Sequence, residues 1–145
     1  MTQDEEAVRA VDLADEFGRT AKLLGARLAS RLSHHELSMP RAQLLVALLR
    51  HGPQRISELG GNVGISQGTA STLAEALVRD GLIERRTDPR DGRATQVALT
   101  RAGQERARAW LRDYEAAAGE VFAVLLPGQR RALLAALRIL SAGRP

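Results

Sequence analysis

The chain contains no cysteine, and this absence excludes several kinds of chemistry. Without thiols, the protein forms no disulfide, no thiolate metal site and no thiol-based redox sensor. Aromatic residues make up only 3% of the 145 residues, so we expect no pocket rich in stacking side chains. Lys22 is the single lysine, and the net charge is a modest +4. Any basic surface that matters must therefore come from the placement of arginines.

Long apolar runs are missing as well. No stretch approaches the roughly 18 uninterrupted apolar residues of a membrane span, and the opening residues 1–6 are too acidic to begin a secretory signal. We therefore expect a cytoplasmic protein with no membrane partner. A chain of 145 residues is long enough for one domain with a sizeable core.

Enzyme motifs are absent too. The sequence has no Walker-type loop and no H-E-x-x-H, and Ser66 is in no triad-like spacing with the histidines. Gly60 and Gly61 lie inside a helical pattern, so they are not a phosphate loop. We expect neither an enzyme nor a cofactor.

A helix, a sharp turn and a second helix are predicted around residues 64–66. Gly64 can end the first helix in a left-handed conformation, and the Ser66 hydroxyl can cap the next. The second helix, residues 67–80, has apolar residues at three- and four-residue spacing: Ala70, Leu73, Ala74, Leu77 and Val78. Its outward polar residues are Gln67, Thr69, Ser71, Thr72 and Glu75. This order predicts a recognition helix.

A hairpin with a basic tip follows. Gly81 stops the helix, and residues 82–87 and 96–100 alternate as strands do. The turn cluster between them, residues 88–93, carries Arg90 and Arg93, which suit the negative potential of a narrow minor groove. The aspartates beside them can fix the loop and aim the arginines. A solvated loop is the alternative interpretation.

The rest of the chain is predicted to be helical. A long apolar stripe runs from about Asp4 to Leu32, and a second helix starts with Ser38 as its cap and ends at residues 51–53. Its buried side should consist of Leu44, Leu45, Ala47 and Leu48. A helix of about 25 residues follows Thr100, and a last helix comes after the break at residues 127–128.

These long terminal helices carry more apolar surface than one copy can cover. The sequence therefore predicts a mainly α fold with a small β-hairpin wing. A winged helix-turn-helix lobe of about residues 38–100 would lie between dimerisation helices of about residues 4–32 and 101–143, in a single domain and a homodimer. Two recognition helices related by a dyad would read a pseudopalindrome on double-stranded DNA.

Three sequence runs resemble the MarR family of bacterial transcriptional regulators. They are I-S-E-L-x-x-x-V-G-I-S-Q-G-T-A-S (residues 56–71), D-G-L-I-E-R-R (residues 80–86) and D-P-R-D-G-R-A-T-Q-V-A-L-T-R-A-G (residues 88–103). The resemblance extends over nearly the whole chain. It implies a dimer that binds an inverted repeat, usually near its own gene, and represses transcription.

The predicted DNA contacts come from two sources. Arg41 and Arg55 flank the binding unit, where they can neutralise phosphates. The remaining positions match contacts of the family: Ser66, Gln67, Thr69, Ser71, Thr72, Arg90 and Arg93. Gln67 is the best candidate for reading an adenine edge, the alternative being a polar residue that only solvates the helix end. Thr72 stands where many members carry an arginine, and its shorter, uncharged side chain should weaken binding or shift the contacts to the wing and to Gln67.

The resemblance also implies a small aromatic or anionic effector in a crevice beside the dimerisation helices. The residues predicted to line it are Phe17, Leu24, Arg27, Leu45, Leu48, Trp110 and Tyr114. The alternative is that they are core or dimer-interface residues. An effector would act only by binding more tightly to the form unsuited to DNA, with a coupling of about 1–3 kcal/mol.

Two further alternatives stay open. His34 and His35 next to Glu36 are the only histidine pair, but neighbouring side chains on an α-helix point about 100° apart, so surface or capping roles are predicted and no metal site. The protein is alternatively an activator, since the sequence does not show where its operator lies. A winged-helix module for protein assembly, without effector, is the other alternative, and it would not need Arg90 and Arg93.

Overall fold

Six α-helices and one two-stranded hairpin form the part of the chain that the computed structural model describes, residues 8–143. In chain order these are α1 (Ala10–Leu32), a short 3₁₀ turn (Ser33–His35), α2 (Met39–His51), α3 (Ile56–Val63), α4 (Gln67–Arg79), β1 (Ile83–Asp88), β2 (Asp91–Leu99), α5 (Arg101–Val121) and α6 (Pro127–Ser141). The predicted fold class is confirmed: mainly α, with a hairpin wing directly after a helix-turn-helix.

The described chain divides into two units. Residues 32–115 hold α2, α3, α4, the hairpin and the first part of α5, and we call them the winged unit. Residues 8–31 and 116–143 hold most of α1, the end of α5 and α6, and we call them the helical unit. The predicted start of the first helix near Asp4 lies outside the described residues, and α1 begins at Ala10.

The core of the winged unit is built around α2. The four α2 residues that were predicted to be buried, Leu44, Leu45, Ala47 and Leu48, are all buried. They pack with side chains from α3, α4, the hairpin and α5: Leu59, Ala74, Leu77, Leu82, Ile83, Val97 and Ala107. The ends of α2 also follow the prediction, because the Ser38 hydroxyl accepts from the Arg41 N–H at 3.4 Å and Gly52 follows at φ 76°.

The hairpin is longer and its turn shorter than the sequence indicated. β1 and β2 pair antiparallel with Ile83 opposite Leu99, and only residues 89–90 lie outside the strands at the tip. The prediction that residues 88–93 form one turn cluster was therefore wrong. The physical reason is that the Asp88 carboxylate accepts the Arg90 N–H at 2.8 Å, which closes a tight turn and lets Asp91 pair with Asp88.

The start of α5 is attached to the hairpin through Thr100. Its hydroxyl donates to the Gly81 carbonyl at 2.7 Å and accepts from the Gly103 N–H at 3.1 Å. Thr100 therefore caps α5 and joins the start of this helix to the loop that follows α4. Gly103 is buried, and a Cβ atom built on it would lie 1.8 Å from the Leu82 carbonyl oxygen. The glycine of the L-T-x-x-G run therefore lets α5 lie close against the Leu82 carbonyl, and this contact leaves no room for a side chain.

The two adjacent glycines of α3 differ in their surroundings. A Cβ atom on Gly60 would lie 3.1 Å from the Ile65 carbonyl oxygen and 3.5 Å from the Ala70 Cβ, so Gly60 allows a close approach of the turn and α4. Gly61 is exposed and has open space around its Cα. Each costs α3 about 1 kcal/mol relative to alanine, but only Gly60 gains packing in return.

The helical unit leaves much apolar surface exposed. α5 ends at Val121, several residues before the predicted break at residues 127–128, so Val124 lies beyond the helix and is 86% exposed. Within residues 8–143, the twelve large apolar residues that are exposed all belong to this unit: Val8, Val11, Leu13, Phe17, Leu23, Val124, Leu126, Leu133, Leu134, Leu137, Ile139 and Leu140. Even so, none of the described helices combines the length and apolarity that crossing a bilayer requires.

The contact at Gly103 gives a test of the fold. Gly103→Ala should lower the free energy of unfolding by about 3 kcal/mol or more, because its methyl group would overlap the Leu82 carbonyl. Gly119→Ala, in open space on the same helix, should raise it by about 1 kcal/mol. Chemical denaturation of both variants measures the difference, and equal stabilities would contradict the close contact.

Candidate nucleic-acid interface

The turn before α4 is held by backbone bonds to one carbonyl. Gly64 adopts φ 82°, and the Gly64 and Ile65 N–H groups both donate to the Gly60 carbonyl, at 2.8 and 3.0 Å. The Ser66 hydroxyl then accepts from the Thr69 N–H at 3.1 Å and so caps α4. The predicted left-handed glycine and serine cap are confirmed, and they aim the first turn of α4 away from the core.

The polar side chains on the exposed face of α4 differ in whether they already form hydrogen bonds within the protein. Thr69 accepts a hydrogen bond from the Ser66 hydroxyl at 2.9 Å, and the Thr72 hydroxyl donates to the Gly68 carbonyl at 3.1 Å. Among the described residues, no hydrogen bond engages the side-chain amide of Gln67, which is exposed. Ser71 is half-buried and Glu75 exposed. Gln67 therefore presents the longest uncommitted hydrogen-bonding group at the N-terminal end of this face.

The wing is anchored by a buried carboxylate. The side chain of Asp88 is 0% exposed, and it accepts from the Arg55 Nε at 2.6 Å as well as from the Arg90 backbone. These bonds hold the pKa of Asp88 down, from its ordinary value of 3.8 to about 2, with the Arg90 N–H as the largest cause and the Arg55 guanidinium next. Asp88 is therefore ionised at neutral pH and binds the wing to the residue that precedes α3.

The two wing arginines are not equivalent. The Arg90 guanidinium lies 3.4 Å from the Asp88 carboxylate and 3.1 Å from that of Glu58, and these partners raise its pKa. Arg93 is exposed, its backbone N–H donates to Asp91 at 3.0 Å, and within residues 8–143 no carboxylate pairs with its guanidinium. The prediction that aspartates fix this loop is confirmed. Of these two arginines, Arg93 is therefore the one whose charge extends freely from the wing.

The other two predicted arginines also have acidic partners. Arg55 is bound to Asp88, and its Nη2 lies 4.0 Å from an Asp91 oxygen. Arg41 lies 3.9 Å from Asp80 and is half-buried. Contacts of either side chain with phosphate stay a prediction. The sequence did not indicate that Arg55 is a structural partner of the wing, because its carboxylate partner is 33 residues away.

A cavity of about 230 Å³ lies in the winged unit, on the side of α2 and α5. Trp110 and Tyr114 stack in its wall, with ring centroids 4.7 Å apart and an angle of 16° between the rings. Its other lining residues are Gln43, Val46, Ala47, Arg50, His51, Asn62, Val63 and Leu111. The positive Arg50 and polar Asn62 were missed at the sequence level, since only the packing of α2 against α3 and α5 places them in one wall.

The seven residues that were predicted to line an effector crevice belong to two different units. Trp110 and Tyr114 line the cavity, whereas Leu45 and Leu48 are in the core with 0% and 2% exposure. Phe17, Leu24 and Arg27 belong to the helical unit, where Phe17 is 57% exposed. Arg27 lines a second, more open hollow there, with Leu23, Ala26, Ser30, Arg31, Ala117, Glu120, Val121 and Val124.

Comparison with known proteins agrees with this geometry. A family model described as the MarR family matches residues 37–95. The chain is 28% identical over 102 residues to the uncharacterized HTH-type transcriptional regulator YkoM of Bacillus subtilis, an alignment that covers 70% of this chain and 66% of YkoM. The chain spans two thirds or less of the length of the curated relatives that it matches.

Solved structures show the same fold. A MarR-family transcriptional regulator from Silicibacter pomeroyi superimposes with a TM-score of 0.69 at 27% identity, over 88% of this chain and 87% of that one. BpsR of Bordetella bronchiseptica, whose DNA binding is regulated by 6-hydroxynicotinic acid, gives a TM-score of 0.84 at 22% identity, over 99% and 100% of the two chains. At 22% identity the likeness shows the fold alone.

The buried carboxylate of the wing gives a second test. Asp88→Asn should lower the melting temperature, because a neutral amide cannot balance the two arginines around it. The folded pKa lies below the ordinary one, so the contribution of Asp88 is complete above about pH 4 and disappears as the pH falls through about 2.

The difference in melting temperature between the wild type and Asp88→Asn should accordingly be constant from neutral pH down to about 4 and shrink below it. Thermal unfolding across this pH range measures it. Asp91→Asn is the matched control, because this second wing carboxylate is half exposed and should cost less. A larger effect at Asp91 than at Asp88 would refute the anchoring role.

Proposed function

We propose that the chain is a member of the MarR family of transcriptional regulators, and that it is a homodimer that represses transcription by occupying a pseudopalindromic operator near its own gene. The observation that carries this proposal is the joint placement of a capped, outward-facing α4 and an anchored wing bearing Arg93. A regulator of this kind acts where the DNA is, so we propose a cytoplasmic location.

The proposed contacts follow from what each side chain has free. The Gln67 amide offers a donor and an acceptor at the start of α4, the pair that adenine presents in the major groove. Ser66, Thr69, Ser71 and Thr72 are short and partly engaged within the helix, which suits phosphate contacts better than base reading. Arg93 extends from the wing toward the minor groove, where negative potential is strongest in narrow A·T stretches.

Dimerisation is supported by the apolar surface of the helical unit. Twelve large apolar side chains of this unit are exposed in one copy, more than a monomer in water normally leaves uncovered. A second copy of the same chain offers the same surface, and a twofold interface buries both at once. The two α4 helices would then be about 34 Å apart, one turn of DNA, if they read adjacent half-sites on one face.

We place the effector in the cavity of the winged unit. Its stacked Trp110 and Tyr114 present an aromatic wall, while Arg50 and Asn62 supply a charge and an amide for an anionic group. A volume of about 230 Å³ suits a compound of one aromatic ring better than a large conjugate. The regulation of BpsR by 6-hydroxynicotinic acid supports the same chemical class, a small aromatic acid. Contributions of Phe17, Leu24, Arg27, Leu45 and Leu48 stay a prediction.

The proposal is tested by titrating the purified protein against the intergenic DNA upstream of its own gene. Fluorescence anisotropy at two salt concentrations, with excess nonspecific competitor, separates specific binding from a general basic surface. Competitor-resistant binding to a short inverted repeat, with one dimer per repeat, is the expected result. Binding that competitor and salt abolish would contradict it and would favour a winged-helix module for protein assembly.

Two substitutions separate base reading from wing binding. Gln67→Ala should reduce discrimination at one base position of each half-site by about 1–3 kcal/mol and leave other positions unchanged. Arg93→Ala should weaken binding to all sequences and flatten the salt dependence. Binding to a set of operators with single base changes measures both effects.

Controls for these variants come from α5. Gln104→Ala and Arg112→Ala remove an amide and a guanidinium from exposed positions outside α4 and the wing. Both should bind like the wild type. If Gln67→Ala and Arg93→Ala each lowered the affinity for every operator by the same amount, the proposed difference between base reading by Gln67 and sequence-independent binding by Arg93 would be refuted.

A further inference from the structure

Two histidines and an aspartate converge in the winged unit, away from α4 and the wing. The Nε2 atoms of His34 and His35 lie 3.0 and 2.7 Å from the same carboxylate oxygen of Asp113. The three ligand atoms that these residues offer all lie within 4.8 Å of one another. None of the three residues lines the cavity that holds Trp110, so this cluster is a separate feature.

The fold brings the two histidines together in a way that the sequence did not indicate. From the sequence, the two histidines were expected at the boundary of the first helix, where neighbouring side chains diverge, and no metal site was predicted. They lie instead in the 3₁₀ turn Ser33–His35, and their ring centroids are 4.2 Å apart. Glu36 ends this turn in a left-handed conformation at φ 54°, and the Arg106 guanidinium donates to the His35 carbonyl at 2.6 Å. The turn is thereby fixed against α5, which carries Asp113.

We propose that His34, His35 and Asp113 bind one Zn²⁺ ion per chain through the two Nε2 atoms and the Asp113 carboxylate, with the fourth position open to water. Two imidazoles and a carboxylate are ordinary zinc ligands, with bonds of about 2.0–2.2 Å. In a tetrahedral site such ligands are about 3.3 Å apart, so each Nε2–oxygen distance here needs to lengthen by less than about 1 Å. The ligand set therefore needs only small side-chain rotations.

Exposure and charge are consistent with an ion at this place. The His35 side chain is 9% exposed and held by its surroundings, whereas those of His34 and Asp113 are 62% and 48% exposed and leave a path for the ion and its water. Zn²⁺ would replace the two imidazole–carboxylate hydrogen bonds by direct coordination, and the proton of each Nε2 would pass to solvent or to Nδ1 of the same ring as the ion binds.

A bound ion would connect two segments that are distant in sequence. His34 and His35 follow α1 directly, and Asp113 lies 78 residues after His35 on α5. Coordination would therefore cross-link the loop between α1 and α2 to α5. Because the unfolded chain lacks this arrangement, zinc should raise the melting temperature of the folded protein.

The wild-type protein gives the first test, by histidine ¹H–¹⁵N correlation spectra during titration with ZnSO₄. The signals of His34 and His35 should shift together and saturate at one equivalent, while those of His51 stay in place until excess zinc is added. Spectra in which all three histidines respond in parallel, or none responds, would overturn the proposal.

Variants give the second test, by zinc competition against a chromophoric chelator. Loss of a residue that only supports a metal ligand costs about 10- to 100-fold in metal affinity. Asp113→Asn and His34→Gln each remove a ligand itself, so each should weaken zinc binding by more than this. They should also abolish the rise in melting temperature on adding zinc. Glu115→Gln is the matched control, an exposed carboxylate two residues along the same helix, and should bind zinc like the wild type.

Circular dichroism of each variant without zinc distinguishes a lost ligand from a lost fold. A folded Asp113→Asn with wild-type zinc affinity would refute the site. So would a Glu115→Gln loss as large as that of Asp113→Asn, because it would show that zinc binds to exposed carboxylates of α5 without preference for Asp113. Replacement by Co²⁺ should give the intense visible absorption of a tetrahedral ion, which an octahedral surface complex lacks.

Discussion

The relation between α3 and the wing depends on the buried carboxylate of Asp88. A carboxylate with no exposed surface is stable only when cations and hydrogen-bond donors surround it, and here Arg55 and Arg90 both serve. Arg55 immediately precedes α3, and α3 carries the Gly60 carbonyl that holds the turn into α4. One charged group thereby fixes the wing against the helix pair that presents α4. A DNA-binding surface made of two separate elements needs such a fixed relation.

The buried carboxylate of Asp88 also makes the two wing arginines, Arg90 and Arg93, different from each other. Arg90 is committed to Asp88 and Glu58, and a move into a DNA groove would leave two carboxylates with less compensation. Arg93 has no such commitment among the described residues, and its backbone is already oriented by Asp91. Charge count alone would treat the two arginines as equal. The tertiary partners differ, however: Arg90 is paired with Asp88 and Glu58 and shapes the turn, whereas the Arg93 guanidinium is unpaired within residues 8–143.

What could be predicted from the sequence is what neighbouring residues determine. The turn at Gly64, the caps at Ser38 and Ser66 and the buried face of α2 depend on contacts within a few positions, and all were predicted correctly. Two long-range contacts were not predicted. Arg55 pairs with Asp88, 33 positions away, and His35 pairs with Asp113, 78 positions away. The predicted length of the wing strands was also wrong, although its cause is local: a single hydrogen bond from the Arg90 N–H to the Asp88 carboxylate, two residues away, shortens the turn.

The cavity and the wing are joined by a continuous set of hydrogen bonds. Asn62, in the cavity wall, donates to the Gln54 side chain at 2.6 Å. Gln54 is buried, and its backbone pairs with Val97 of β2 through bonds of 3.1 and 2.8 Å. A ligand that takes the Asn62 amide for itself would leave the buried Gln54 oxygen without that donor, next to the strand that carries Arg93. These hydrogen bonds couple the cavity to the wing only if the wing has two arrangements and the ligand binds the protein more tightly in one of them. The last turn of α3, which holds both Asn62 and the approach to Gly64, is the element where such a difference would reach α4 and the wing together.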